Sequence, residues 1–409
     1  MRKKISVDAM VVGMYLQDLG ASWLKNPFWR SSFLVTDPKD IALLKASNIP
    51  EVWIDTDKGL DVPAAQESFQ PTEPAPLPDL QPARRGEHAP VPMAEELERA
   101  ARICNEAKQA VTSMFQEARM GNTVDAGAAG KLVQDISDSV ARNASALISL
   151  ARLKTADGYT YMHSVAVCAM MIALGRQLGL AEAAVRDAGE AGLLHDMGKA
   201  LVPMDVLNKP GKLSEEEFAI VRQHPALGHQ LLSKASGVSA VALDVCLHHH
   251  EKVDGTGYPK GLAGDNISLF AKMGAVCDVY DAITSNRPYK EGWDPAESMR
   301  RMGQWAGGHF DATVFQAFAK SLGIYPVGSL VRLTSGLLGV VTQQNTAALT
   351  TPVVKAFFST RTNERIATAE IDLSERGCHD RIAAREDPIK WNFPDLDALW
   401  LGDVVAGRA

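Results

Sequence analysis

The chain has 409 residues, room for two or three domains, and 46% of them are hydrophobic, which suits globular cores. A net charge of −7 and a pI near 5.8 exclude a nonspecific nucleic-acid binder, which needs a basic face, but leave room for a small phosphate ligand in a local basic pocket. Cys104, Cys168, Cys246, Cys277 and Cys378 stand without a CxxC pair, so reduced thiols in a cytoplasm are expected rather than a disulfide framework.

The opening Met-Arg-Lys-Lys is followed by a short apolar stretch that Asp18 interrupts, and no small-residue cleavage site follows, so no signal peptide is expected. Residues 1–61 mix the strand-like runs AMVVGMYL and EVWID with a helical stretch from Asp37, where Asp37 can cap and Pro38 takes the first position. This predicts a small α+β unit with a regulatory role. Residues 62–93 carry eight of the 21 prolines and no apolar period, the composition of a semi-extended linker.

From 94 to 325 the pattern is helical. The run from Met93 is amphipathic and stops at Gly121, a C-cap residue; a second helix runs through Ala128 to Leu153, and more apolar helices follow between Tyr159 and Leu322. The most apolar stretch, Val165 to Leu174, is far shorter than the roughly 20 residues that cross a bilayer, so no membrane span is expected. Residues 326–409 alternate with Gly and Asn at turn positions and predict a small β unit. The expected fold is mainly α: a helical bundle between a small α+β unit and a small β unit.

The chemistry-bearing residues concentrate in the helical block. His163, His195, His224, His229, His248, His249, His250 and His309 lie there, with Asp196, Glu251, Asp254, Asp278 and Asp281. Taken singly, His163 suits a hydrogen-bonded core, His224 a helix end before Pro225, and His248–His250 a solvated turn. A carboxylate inside the apolar run GAVCDVYDAI is harder to explain without a partner, because burying it alone is costly. Imidazole with carboxylate suits iron, manganese, zinc or nickel and not a thiolate site.

HDMGK, HHEKVDGTGYP, CDVYDAITSNRPYK and GGHFDATVF, in this order, resemble the HD-GYP family. These are HD-superfamily phosphohydrolases that cleave the bacterial messenger cyclic di-GMP. The likeness spans roughly residues 94–322, and residues 1–60 resemble a domain of unknown function that often precedes such domains. The resemblance implies an HD-type bundle with His163, His195, Asp196, His224, His249, His250 and Asp278 as metal ligands. Asp196 would bridge, with His163, His195 and Asp278 on one ion and the later histidines on the other. The family's His-His-Glu pattern selects His249 and His250 and leaves His248 as a neighbour. Three-metal members carry a glutamate where this chain has Tyr159, so two divalent ions are expected, iron or manganese first.

The implied reaction is hydrolysis of cyclic di-GMP to pGpG, and onward to GMP, by a hydroxide bridging the two ions. Lys199 would serve the leaving oxygen or the phosphate, Arg287 and Lys290 a phosphate, and Asp281 would orient Lys199 or the water. Gly257 and Tyr258 in DGTGYP would contact the ligand, and in the family this loop also binds diguanylate cyclase (GGDEF-type) domains. A homodimer through the early amphipathic helices is left open, and no nucleic-acid polymer is expected. The alternative reading is a cyclic di-GMP sensor or protein-interaction module whose metal site is structural.

Overall fold

The computed structural model describes residues 2–18, 33–35, 41, 45, 51–60, 89, 91–123, 125–153, 159–209, 211–285, 292–345 and 347–401. The chain parts into two compact units, 1–82 and 83–409.

In the first unit, strands β1 (Arg2–Ser6), β2 (Tyr15–Asp18), β3 (Phe33–Leu34) and β4 (Glu51–Asp55) form an antiparallel sheet ordered β1-β4-β2-β3. In β4 the buried Val52 and Ile54 alternate with exposed Trp53, so the expected strand EVWID forms as a half-buried strand should. The run AMVVGMYL does not form one strand. Gly13 takes φ +97° and turns the chain, so the strand begins only at Tyr15. Ile41 and Lys45 are helical, whereas the Asp37–Pro38 cap lies outside the described residues, as does most of the proline-rich stretch.

The second unit opens with helix α1 (Met93–Arg119). It buries Leu97, Ala100, Cys104, Ala107, Val111 and Phe115 at helical spacing, and it ends at Gly121 (φ +82°), with Gly121 N donating to the Ala118 carbonyl and Asn122 N to that of Glu117. Helix α2 (Ala126–Arg152) is capped by Asp125 and broken at Asn143, which leaves the helical conformation and turns its side chain to cap Ala146 N. Helix α3 (Tyr159–Gln177) is the central element. Every residue from Val165 to Leu174 is buried, because α1, α2, α4 (Glu182–Leu194), α9 (Leu269–Thr284) and α11 (Ala312–Leu322) pack around it. Among the described residues no helix is long and apolar enough to cross a membrane.

Around this core lie a 3-10 turn (Met197–Leu201), α5 (Met204–Leu207), α6 (Glu215–Val221), α7 (His224–Leu232), α8 (Ala240–His248) and α10 (Pro295–Trp305). Two close approaches set the site. A Cβ on Gly192 of α4 would lie 2.8 Å from the Cα of Cys168 in α3, and one on Gly198 would lie 1.9 Å from the His224 carbonyl oxygen and 2.5 Å from Gly228 N. Glycine alone lets these backbones meet.

Strands β5 (Leu330–Leu333), β6 (Leu337–Gln343), β7 (Val353–Ser359), β8 (Glu364–Asp372) and β9 (Ile382–Arg385) form an antiparallel sheet ordered β8-β7-β6-β5-β9. It buries Val331, Val341 and Val354 in one cluster and Leu338, Phe357 and Phe358 in another, the latter under Trp391 and Phe393. Two short helices, α12 (Pro388–Trp391) and α13 (Leu396–Leu401), follow β9; the sequence pattern gave a β unit only. Arg385 of β9 reaches Glu297 of α10 at 2.8 Å, which fixes the sheet to the helical block.

Candidate metal centre

The site forms where helix ends meet. His163 lies one turn into α3, His195 caps the end of α4 with Asp196 next, His224 begins α7, His249 and His250 follow α8, and Asp278 lies within α9. His163, His195, Asp196, His224, His249 and Asp278 are all buried, and His250 keeps 22% of its side chain exposed.

Asp196 stands between two sets of donors. Its Oδ2 is 3.4 Å from both His163 Nε2 and His195 Nε2, and its Oδ1 is 3.2 Å from His224 Nε2 and 3.8 Å from His249 Nε2. Asp278 completes the first set: Oδ1 is 3.0 Å from His163 Nε2 and 3.9 Å from His195 Nε2, while Oδ2 is 3.7 Å from His250 Nδ1. His224, His249 and His250 form one group of donor atoms close enough for a single ion, and His163, His195 and Asp278 form another.

The second nitrogen of these rings fixes the tautomer. Nδ1–H donates to the Gly192 carbonyl from His195 (2.8 Å), to Val221 from His224 (2.7 Å) and to Val245 from His249 (3.0 Å). His163 Nδ1–H donates to Asp281 Oδ2 at 2.6 Å. Since carbonyls only accept, the Nε2 of His195, His224 and His249 is left as a lone pair turned into the cluster, the arrangement a metal-ligating histidine adopts. His195 Nε2 and Asp196 Oδ1 are buried without a hydrogen-bond partner. Such atoms are costly unless something else satisfies them, so the donor set fits divalent cations.

Charge agrees. Burial opposes ionisation of Asp196, yet Lys199, His195 and His163 outweigh it and hold the carboxyl well below its ordinary range. Asp278 is held down likewise against burial, by His163, His250 and His195. Burial also opposes a charge on His163, but Asp196, Asp278 and Asp281 raise its pKa to about 10. Burial, reinforced by the surrounding histidines, pushes His249 well below its usual value, and burial brings His250 down to about 3. One end of the cluster therefore attracts positive charge, and the other offers neutral lone pairs.

The remaining expected residues separate. Lys199 Nζ donates to Asp196 Oδ2 and keeps 22% of its side chain exposed, at the rim of the cluster. Asp281 sits behind His163, with Oδ1 toward Ser285 Oγ, so its described bonds orient the His163 ring. His248 turns to Asp244 (2.8 Å), which leaves His250 as the residue that enters the cluster. Tyr258 stacks on His250 at 4.7 Å. Gly257 acts sterically: a Cβ there would lie 2.4 Å from Lys252 N and 2.6 Å from the His250 oxygen. Arg287, Lys290 and the side chain of Tyr159 lie outside the described residues.

Glu251 is buried and accepts from Lys260 N (2.7 Å) and Leu262 N (2.9 Å), shaping the DGTGYP loop. Asp254 holds Thr256 in that loop, and His309 stacks on Phe310. The sequence reading passed over Arg222 and Phe218. Arg222 Cζ lies 4.5 Å from the Tyr258 ring centroid and 5.9 Å from that of Phe218. Nothing in the residue pattern singles out an exposed arginine; only the turn that brings it over Tyr258 does.

A family model described as Domain of unknown function (DUF3391) matches residues 2–129, and one described as HD domain matches residues 136–314. Over 403 residues the chain is 54% identical to cyclic di-GMP phosphodiesterase PA4108 of Pseudomonas aeruginosa, covering 98% of this chain and 96% of that protein. The chain belongs to the HD-GYP family. Two further relatives match over part of the chain. The cyclic di-GMP phosphodiesterase response regulator RpfG of Xanthomonas campestris is 38% identical over 195 residues, 46% of this chain and 51% of its own. The 3'3'-cGAMP-specific phosphodiesterase 3 of Vibrio cholerae is 37% identical over 168 residues, 41% of this chain and 36% of its own. The HD and GYP motifs that define the family are the ones found around Asp196 and Tyr258. The first family model extends past the proline-rich stretch and takes in α1.

Proposed function

We propose that this protein hydrolyses cyclic di-GMP at a two-metal centre bridged by Asp196. The observation that carries this reading is the division of the Asp196 carboxylate, one oxygen toward His163 and His195 and the other toward His224 and His249. His163, His195 and Asp278 would hold one divalent cation and His224, His249 and His250 the other. Nitrogen and carboxylate donors favour iron or manganese over a thiophilic ion. Bound there, the pair supplies Lewis acidity toward the phosphate and toward water.

The chain's own groups do the rest. Asp281 and the carbonyls of Gly192, Val221 and Val245 hold the imidazoles in the donating tautomer. Lys199, at the rim with its ammonium on Asp196, is placed to meet a phosphate oxygen or the leaving ribose oxygen. Arg287 and Lys290 are assigned to a phosphate on the family pattern. Tyr258 is already packed between His250 and Arg222, which supports a ligand-facing role over a partner-binding one. Opening one diester gives linear pGpG, and a second cut gives GMP.

The test is product analysis of cyclic di-GMP incubated with anaerobically purified protein, with metal content measured on the same sample. Conversion to pGpG with about two metals per chain is expected, and Asp196→Ala should lose both metal and turnover. Full metal occupancy without conversion would overturn the reading.

A further inference from the structure

Beyond the cluster, flat groups run in a row toward the surface. His250 stacks on Tyr258 at 4.7 Å, Arg222 lies over Tyr258 at 4.5 Å, and Phe218, 48% exposed, lies 5.9 Å from the Arg222 Cζ. Helix α6 fixes the outer part. Ser214 and Glu217 form a capping box, Lys209 Nζ donates to both Glu217 oxygens at 2.7 Å, and Arg222 N closes the helix on the Phe218 carbonyl. The carbonyl of Val221, the residue before Arg222, orients His224 in the cluster. Arg222 is thereby tied to the metal donors while its side chain stays exposed, and among the described residues no carboxylate pairs with its guanidinium.

An unpaired guanidinium at a metal centre that handles nucleotides has a definite chemistry. Its two parallel N–H groups match two neighbouring acceptors, and guanine presents O6 and N7 on one edge. Adenine presents N7 beside the N6 amino donor, so one N–H of the fork meets a donor. Phe218, the exposed flat group beside the arginine, adds a stacking surface that accepts any base. The phosphate is served elsewhere, by the cluster and Lys199. We infer that Arg222, carried on Tyr258 and flanked by Phe218, reads the guanine edge of the bound cyclic dinucleotide and sets the preference for guanine over adenine. The inference rests on the phosphodiesterase reading above and names a specificity-determining residue for it.

The experiment compares metal-loaded full-length protein with Arg222→Met and Arg222→Lys, using cyclic di-GMP and cyclic di-AMP as probes for both Kd and kcat/KM. Wild type should favour cyclic di-GMP. Both variants should keep the wild-type metal content and lose about ten-fold or more of that preference. The lysine keeps the charge but lacks the fork, so its failure to rescue separates base reading from charge. Two results would overturn the inference: an unchanged preference, or an equal weakening toward both dinucleotides, which would place Arg222 on a shared phosphate. Absence of turnover in wild type would count against the phosphodiesterase reading instead, and the ratio of Kd values would still decide Arg222.

Discussion

Each imidazole that faces Asp196 is held from behind, and the holder differs in charge. His195, His224 and His249 donate to neutral carbonyls, whereas His163 donates to the Asp281 carboxylate at 2.6 Å. Carboxylate behind a ligating histidine raises its basicity and fixes its orientation, and removing such a partner typically costs about 10–100-fold in metal affinity or activity. Asp281→Asn is therefore expected to weaken metal binding in that range, read by metal titration, with the fold intact by circular dichroism. A fall in turnover at unchanged affinity would return Asp281 to a role on Lys199 or water. The same carboxylates make His163 a pH-dependent element of the metal-free protein. Its folded pKa is about 10 against 6.5 for the free side chain, so its stabilising contribution is complete below pH 6.5 and is lost as pH rises through 10. Chelated protein should lose melting temperature between roughly pH 7 and 10 on this account. Metal-loaded protein should not, because a ligating ring nitrogen would have released its proton to solvent when the ion bound.

At the scale of elements, the site depends on helix ends being brought together, and glycine decides how closely. The turn Met197–Leu201 meets α7 backbone to backbone at Gly198 and Gly228, which sets His224 against Asp196. Gly198→Ala would put a methyl 1.9 Å from the His224 oxygen, so the two segments must separate. The expected cost is about 1–3 kcal/mol of stability, the usual range for overpacking. More telling is the metal count, expected to fall from two toward one per chain while the His163–His195–Asp278 set persists; two retained ions would show that α7 can shift without losing Asp196. This is also where legibility in the sequence ran out. Helices were readable because apolar spacing and the Gly121 stop are local signals, and the run Val165–Leu174 of α3 is apolar at every position. The residues that gather around Asp196 were named in the sequence through the ordered motifs of the family resemblance. The carbonyls of Gly192, Val221 and Val245 were not, since a backbone acceptor has no letter, and neither was Arg222, whose place depends on how α6 turns into α7. The interruption of α2 at Asn143 was missed because asparagine is unremarkable until its side chain finds Ala146 N.

At the scale of the molecule, the question is where the catalytic unit begins, because the two divisions of the chain disagree. The family model for the domain of unknown function runs to residue 129 and so takes in α1, whereas compactness places α1 with everything after residue 82. Packing and charge decide for the second. Glu96 on α1 is fully buried and accepts from Ser139 Oγ (2.8 Å) and from Arg142 Nε (2.7 Å) and Nη2 (2.9 Å) on α2, and Arg119 donates to the Ala200 carbonyl beside Lys199. Burial raises the Glu96 pKa, but those donors prevail and keep it below its ordinary value, so the pair stays ionic. Removing one side of a buried pair costs about 3–5 kcal/mol, because the other charge is left stranded. Removing α1 would also expose the faces of α2 and α3 that cover Leu97, Val111 and Phe115. A chain starting at residue 83 is therefore expected to bind metal and turn over substrate as the full chain does, since every described donor and its anchor lies within it. A chain starting at residue 130 should be recovered unfolded or aggregated. Metal content and melting curves on the two truncations check this, and a folded, metal-bearing product from residue 130 would show that α1 belongs to the N-terminal unit after all.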